Sequence, residues 1–121
     1  MLVDLHTHSY YSDGTMSPRE ILEDAKRKNI DVIAITDHDE IGSYNEAKSI
    51  SEEVGVKLIR GVELDCKFED IVVHVLCYKF NDNKEMIELI NKAQNALLET
   101  SFELMRGKGL WRYIIWRIFY I

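Results

Sequence analysis

Apolar residues arrive along this chain in short dense runs, separated by stretches of helical periodicity. Leu2, Val3 and Leu5 form a first short strand that runs directly into two histidines, His6 and His8. Asp31-Val32-Ile33-Ala34-Ile35-Thr36 is almost continuously apolar, the pattern of a strand buried on both faces of a parallel sheet. Lys57 to Glu63 reads as a third strand, with Gly61 near its end, and Ile71 to Tyr78 as a fourth with His74 inside it. Between these runs the period changes. Ser17-Pro18-Arg19-Glu20 carries three helix-start signals together: a capping serine, a proline suited to the first helical position, and a glutamate completing a capping box. Ile21, Leu22 and Ala25 supply that helix's apolar stripe, and Lys26 to Asn29 suit its end. Ser43-x-x-Glu46 predicts a second capping box, opening a helix through Val54 that Gly55 can end. From Asn83 to about Arg106, the positions Met86, Ile87, Ile90, Ala93, Leu97, Leu98 and Leu104 recur at helical spacing.

The order β-α-β-α-β-β-α predicts an α/β fold, and polar residues cluster at the ends of successive strands. In α/β barrels the C-terminal strand ends carry the chemistry, whereas the opposite end serves stability. Loop chemistry agrees: Tyr10 to Met16 contains Ser12-Asp13-Gly14, a turn signal.

Composition narrows the class. At 121 residues, 46% apolar and 30% charged, the chain is ordinary for one soluble domain. Its net charge of −6 argues against a nucleic-acid surface, which needs a basic face. A small phosphorylated molecule stays open, because bound cations reverse the local sign of a site. Cys66 and Cys77 have neither metal spacing nor a signal peptide beside them, and predict reduced thiols in a cytoplasmic protein. No apolar run approaches a membrane span.

The final stretch stands apart from residues 1–106. Residues 107–121 hold both tryptophans and no acid, in a chain otherwise rich in acids. They read as a core strand or partner-binding segment, or as the product of a shifted or prematurely ended reading frame.

The candidate chemistry lies on the strand ends: His6 and His8, Asp13 in the first loop, Asp37-His38-Asp39, Glu63, and His74. Residues two apart on a strand share a face, about 6.6 Å apart. That spacing lets His6 and His8 converge on one ion, since imidazole reaches a metal at about 2.0–2.1 Å. Neutral imidazoles with carboxylates suit zinc, manganese or iron. Glu63 can bridge two ions, and a pair of ions about 3.5–4 Å apart clamps a phosphate and activates a water. Each residue also has a plain structural reading. Asp13 is a turn residue, Asp37 and Asp39 are caps, His74 is a hydrogen-bonded strand residue, and Tyr10 and Tyr11 are loop packing. The joint pattern outweighs these: all four histidines of the chain, with Glu63, fall at one end of successive strands.

These residues resemble a known family. Asp-Leu-His-Thr-His-Ser-x-x-Ser-Asp-Gly, then Ile-Thr-Asp-His-Asp, then Gly-Val-Glu and a histidine in the next strand, are similar to the motifs of the PHP (polymerase and histidinol phosphatase) family. They match in type, order and spacing over Leu2 to Tyr78, about two-thirds of the chain. The resemblance implies a distorted (β/α)7 TIM-like barrel, here partial, with about four parallel strands and flanking helices. It implies two or three divalent ions: His6 and His8 on the first, Glu63 bridging to a second held by His74, and Asp13 with His38 on a third. Glu63, Asp37 and Asp39 are the catalytic candidates, the two aspartates acting by orienting His38 as ligating imidazoles require. The implied reaction is hydrolysis of a phosphate ester, on a nucleotide or a small phosphorylated metabolite, by a metal-activated hydroxide. A short oligonucleotide end is the one nucleic-acid substrate kept open.

The departures matter equally. The family pattern continues with another histidine and a late Asp-x-His, and this chain has no histidine after His74. A full barrel takes about 200 residues or more. The alternative expectation is therefore a truncated, inactive fragment that binds metal weakly or needs a partner chain. An unpaired apolar edge after the fourth strand, or the tail, would then favour self-association.

Overall fold

The structure is a computed structural model; it describes residues 1–108 other than Asp70 and Asp82, with the backbone alone for Leu97 and residues 100–108. The expectations for the tail at 109–121 lie outside the described residues. Seven elements follow in order: β1 (Val3–Thr7), α1 (Pro18–Arg27), β2 (Val32–Ile35), α2 (Gly42–Val54), β3 (Lys57–Phe68), β4 (Ile71–Tyr78) and α3 (Lys84–Lys108).

The strands form one sheet in the order β1-β2-β3-β4. β1, β2 and β3 are parallel, with Val3 opposite Val32 and Ile33 opposite Leu58. β4 departs from the expected four parallel strands, because it runs antiparallel to β3. The connection explains this. Only Glu69 and Asp70 separate the two strands, whereas a parallel return needs a crossover of about a dozen residues or more. Glu69 adopts φ 55°, the left-handed conformation that tight hairpins use. The same hairpin carries β3 five residues beyond the expected end at Glu63, because each residue from Gly61 to Phe68 gains a partner on β4.

α1 and α2 cover one face of the sheet. Ile21, Leu22 and Ala25 meet Ile33 and Ile35 from β2, and Ala47, Ile50 and Val56 close the cluster. A second cluster sits where Ile90 of α3 meets Val62 and Leu64 of β3. Alternation then sends Glu63 and Asp65 to the other face of β3. The helices therefore hold the sheet from behind and leave the face bearing Glu63 free for chemistry.

Helix starts divide into one expected and one different. At α1 the Glu20 N–H donates to Ser17 Oγ at 3.2 Å and the Ser17 N–H donates to Glu20 Oε2 at 2.7 Å, the capping box read from sequence. Ser17→Ala is expected to cost about 1 kcal/mol in denaturant unfolding. Those bonds hold the Glu20 carboxyl below its ordinary pKa, so this contribution is present at neutral pH and fades as pH falls through that lowered value.

α2 does not use Ser43 as its cap. It starts at Gly42, after Ile41. The Glu40 carboxylate accepts the Ile41 and Gly42 N–H groups at 2.8 and 2.7 Å. Glu46, the expected partner of Ser43, is turned instead to Tyr10 and Tyr11. Gly55 ends the helix as expected, at φ 75°, where a side chain would be strained.

Candidate metal centre

Main-chain pairing beyond the regular strands assembles the centre. The Thr36 N–H donates to the Thr7 carbonyl at 2.8 Å, joining the ends of β1 and β2. The Asp37-His38-Asp39 segment then pairs with β3: the Glu63 N–H donates to the Asp37 carbonyl and the Asp39 N–H to the Glu63 carbonyl. His38 is thereby placed beside Glu63. In β1 the register shifts between Asp4 and Thr7, an irregularity of the kind that re-aims strand ends, and both His6 and His8 reach Glu63.

Glu63 is the hub. Its buried Oε2 lies 2.9 Å from His6 Nε2, 2.8 Å from His8 Nε2 and 3.7 Å from His38 Nε2, and its Oε1 lies 3.3 Å from His74 Nδ1. Burial works to raise the Glu63 pKa, but the bond to His6 and the charges of His38, His6 and His8 outweigh it, and the carboxyl stays below its ordinary value.

Asp13 closes the cluster from the loop. Its Oδ1 lies 2.6 Å from His8 Nδ1 and its Oδ2 lies 3.9 Å from His38 Nε2. The contact with His8 keeps the Asp13 carboxyl ionised at lower pH than usual. The loop is tight. Ser12 and Gly14 N–H groups both donate to the Ser9 carbonyl, and a Cβ on Gly14 would meet the His8 carbonyl oxygen at 2.2 Å. Only glycine fits there, because the obstructing atoms are backbone.

Asp37 and Asp39 differ from the expectation that they orient His38. Asp37 is fully buried and accepts from the Ser9 N–H, the Ser9 hydroxyl and the Ser12 hydroxyl, each at 2.7 Å. It holds the loop carrying His8 and Asp13. Asp39 sits at φ 50° and accepts from the Asp65 N–H at 3.1 Å, while α3 grips its carbonyl through Gln94 Nε2 at 2.7 Å. The physical reason is direction: a strand end projects neighbouring side chains to opposite faces, so Asp37 and Asp39 turn away from the ring of His38.

The residue beside the His38 ring is Asp65, which sequence reading missed. Its Oδ1 lies 2.8 Å from His38 Nδ1 and 2.9 Å from His74 Nδ1. The signal was present, since Asp65 stands two positions after Glu63 on one strand and so shares its face. Burial tends to lower the His38 pKa, but the bond to Asp65 and the charges of Asp65, Glu63 and Asp13 win, and the net shift is upward. A metal must displace that proton. Uptake is therefore expected to strengthen as pH rises through a range above the usual imidazole value. In Asp65→Asn that range is expected to move down, with affinity about 10–100-fold weaker at high pH. Metal titrations at several pH values check this; an unmoved profile would count against the role of Asp65.

The donor chemistry fits divalent ions. Three groups of donors form, His6-His8-Glu63, His8-Asp13-His38 and His38-Asp65-His74, each with its donor atoms within 4.8 Å of one another. Donors about 2 Å from one ion are separated by such distances. Among the described residues, the buried Asp39 Oδ2 has no hydrogen-bond partner, and burial pushes its carboxyl pKa up. Among the described residues, no helix is long and apolar enough to cross a membrane.

Comparison with known proteins places this geometry. A family model described as the PHP domain matches residues 4–109. A 5'-3' exoribonuclease of Haemophilus influenzae is 36% identical over 96 residues, which cover 79% of this chain and 35% of that protein. Phosphoribosyl 1,2-cyclic phosphate 1,2-diphosphodiesterase of Eggerthella lenta is 34% identical over 114 residues, 93% of this chain and 41% of its own. A solved structure from Bifidobacterium adolescentis, designated a metal-dependent phosphoesterase, superposes with a TM-score of 0.76 at 34% identity, over 80% of this chain and 34% of that one. The chain thus spans about a third to two-fifths of the length of these curated relatives. The solved neighbours share the TIM-like fold that the resemblance implied. Over residues 4–109, which carry every candidate metal donor described above, the chain belongs to the PHP domain family.

Proposed function

We propose that this chain is a metal-dependent phosphoesterase, acting on a nucleotide or another small phosphorylated metabolite. The observation that carries the reading is the convergence of four imidazoles on the buried carboxylate of Glu63. Four imidazoles and a carboxylate within reach of one another are a donor set that suits a divalent cation. His6, His8 and Glu63 would hold one ion, His74 with Glu63 a second, and Asp13 with His38 a third; zinc, manganese and iron all suit the set. Bound there, divalent ions neutralise phosphate oxygens and lower the pKa of a water. The chain's own residues do the positioning. Asp37 fixes the loop of His8 and Asp13, Asp65 sets the rings of His38 and His74, and the half-exposed rings of His6 and His74 face incoming substrate. The two free cysteines agree with a reducing, cytoplasmic setting.

A second reading has its own support. Leu2 just before β1, Val3 and Leu5 on β1, and Val72, Val73 and Val75 on β4 are exposed, at the two outer strands of the sheet. Apolar surface of this kind marks a contact site, and favours a chain that turns over substrate only with a partner supplying further strands.

The test is hydrolysis of p-nitrophenyl phosphate by purified protein with manganese, zinc or iron. The expected result is a rate abolished by chelator and restored by one of the metals. Rates equal to the protein-free blank with all three would refute catalysis by this chain alone. Metal retained by such a protein would then point to the second reading.

A further inference from the structure

The metal cluster leaves one rigid and open feature beside it unused. The rings of Tyr10 and Tyr11 are stacked, with centroids 5.0 Å apart and planes 20° from parallel. Both hydroxyls donate to the same oxygen of Glu46, at 2.9 and 2.8 Å, so neither ring can swing without losing its bond. The Tyr11 ring also lies against the start of α2, where a Cβ on Gly42 would come within 2.8 Å of it. Its N–H donates to Ser9 Oγ, which Asp37 holds. The pair is thus fixed to the scaffold that fixes the metal loop.

Loop packing, the reading from sequence, would bury these rings. Instead Tyr10 is 52% exposed and Tyr11 37%. Ordering two large side chains costs conformational entropy, and leaving their faces in water forgoes the gain of covering them. A ligand that covers them recovers that gain.

Position and charge indicate which ligand. Tyr10 lies two residues after His8 and Tyr11 two residues before Asp13. At 3.8 Å between successive Cα atoms, each tyrosine Cα is within about 8 Å of the Cα of a candidate metal ligand. A nucleoside spans that order of distance between its phosphate and its base. A tyrosine side chain carries no charge at neutral pH, so the pair does not repel an anionic substrate.

We propose that the Tyr10–Tyr11 pair is a stacking platform for the base of a nucleoside phosphate whose phosphate sits on the histidine–Glu63 cluster. This rests on the phosphoesterase reading and names its substrate class. Stacking of one base on an aromatic side chain is worth about tenfold in affinity, or more.

The experiment is calorimetric binding of adenosine monophosphate and of ribose 5-phosphate to the manganese-loaded chain. It is run on the parent, on Tyr10→Ala and on Tyr10→Phe, with metal content and circular dichroism recorded for each. The expected result is about tenfold tighter binding of the nucleotide by the parent. Tyr10→Ala is expected to erase the difference and leave ribose 5-phosphate unchanged, while Tyr10→Phe, which keeps the ring, retains most of it. Equal binding of the two ligands by the parent, or an equal loss of both in Tyr10→Ala, would overturn the platform and leave the metal site standing. Binding of neither ligand to a metal-loaded parent would overturn the platform and the phosphate reading together.

Discussion

A Glu63→Gln chain is expected to leave purification with almost no divalent metal and to hydrolyse phosphate esters no faster than the protein-free blank. Among the described residues, Glu63 is the one group that touches His6, His8, His38 and His74. Glutamine keeps the shape and removes the charge. Losing an outer hydrogen-bond partner typically costs about 10–100-fold in metal affinity, and loss of a bridging charge must exceed that. A second consequence separates this account from simple misfolding. The charges of His38, His6 and His8 hold Glu63 ionised, so the imidazoles in turn lean on that carboxylate when protonated. Without metal, His38, whose proton the Glu63 charge helps to hold, should therefore titrate at lower pH in Glu63→Gln than in the parent, while its circular dichroism stays that of the parent. Parent-like metal content in Glu63→Gln would remove Glu63 from the centre.

The second large effect is on stability. Asp37→Ala is expected to lower unfolding free energy by about 3 kcal/mol, against a typical total of about 5–15 kcal/mol. Three donors lose their acceptor at once: the Ser9 N–H, the Ser9 hydroxyl and the Ser12 hydroxyl. Bonds to a charged group contribute about 1.5–3 kcal/mol each. Removing the carboxylate also removes its own cost of burial, so the net falls below the sum. Asp37→Asn keeps one acceptor oxygen and should lie between. Denaturant unfolding of the three chains gives the order directly. The loop of His8 and Asp13 should loosen in step, so metal affinity falls in the same order. A parent-like midpoint for Asp37→Ala would show that the loop is held by something else.

The features legible in the sequence were those decided within a few residues. Ser17 and Glu20 face each other across one helical turn, and the capping box read from them is the one formed. The four histidines and Glu63 were legible because they follow or sit within successive apolar runs, although the structure places Glu63 and His74 inside β3 and β4 and not at their ends. What stayed hidden was decided by distant partners. Glu46 stands at the right spacing from Ser43, yet two tyrosines some 35 residues earlier take its carboxylate. Asp37 adjoins His38 in sequence but points to Ser9 and Ser12 in space. The direction of β4 was open to inference, because two residues cannot carry a parallel return. Asp65 likewise follows from the two-residue period of the strand that holds Glu63.

The central claim is that this chain's own residues make a self-sufficient metal site. The measurement that tests it most directly is the metal content per chain of protein purified without chelator. The account predicts at least one tightly held divalent ion per chain, resistant to dialysis and released in acid, where protons compete with metal for imidazole and carboxylate ligands. A well-folded chain carrying close to none, and gaining none when supplied with manganese, zinc or iron, would contradict it.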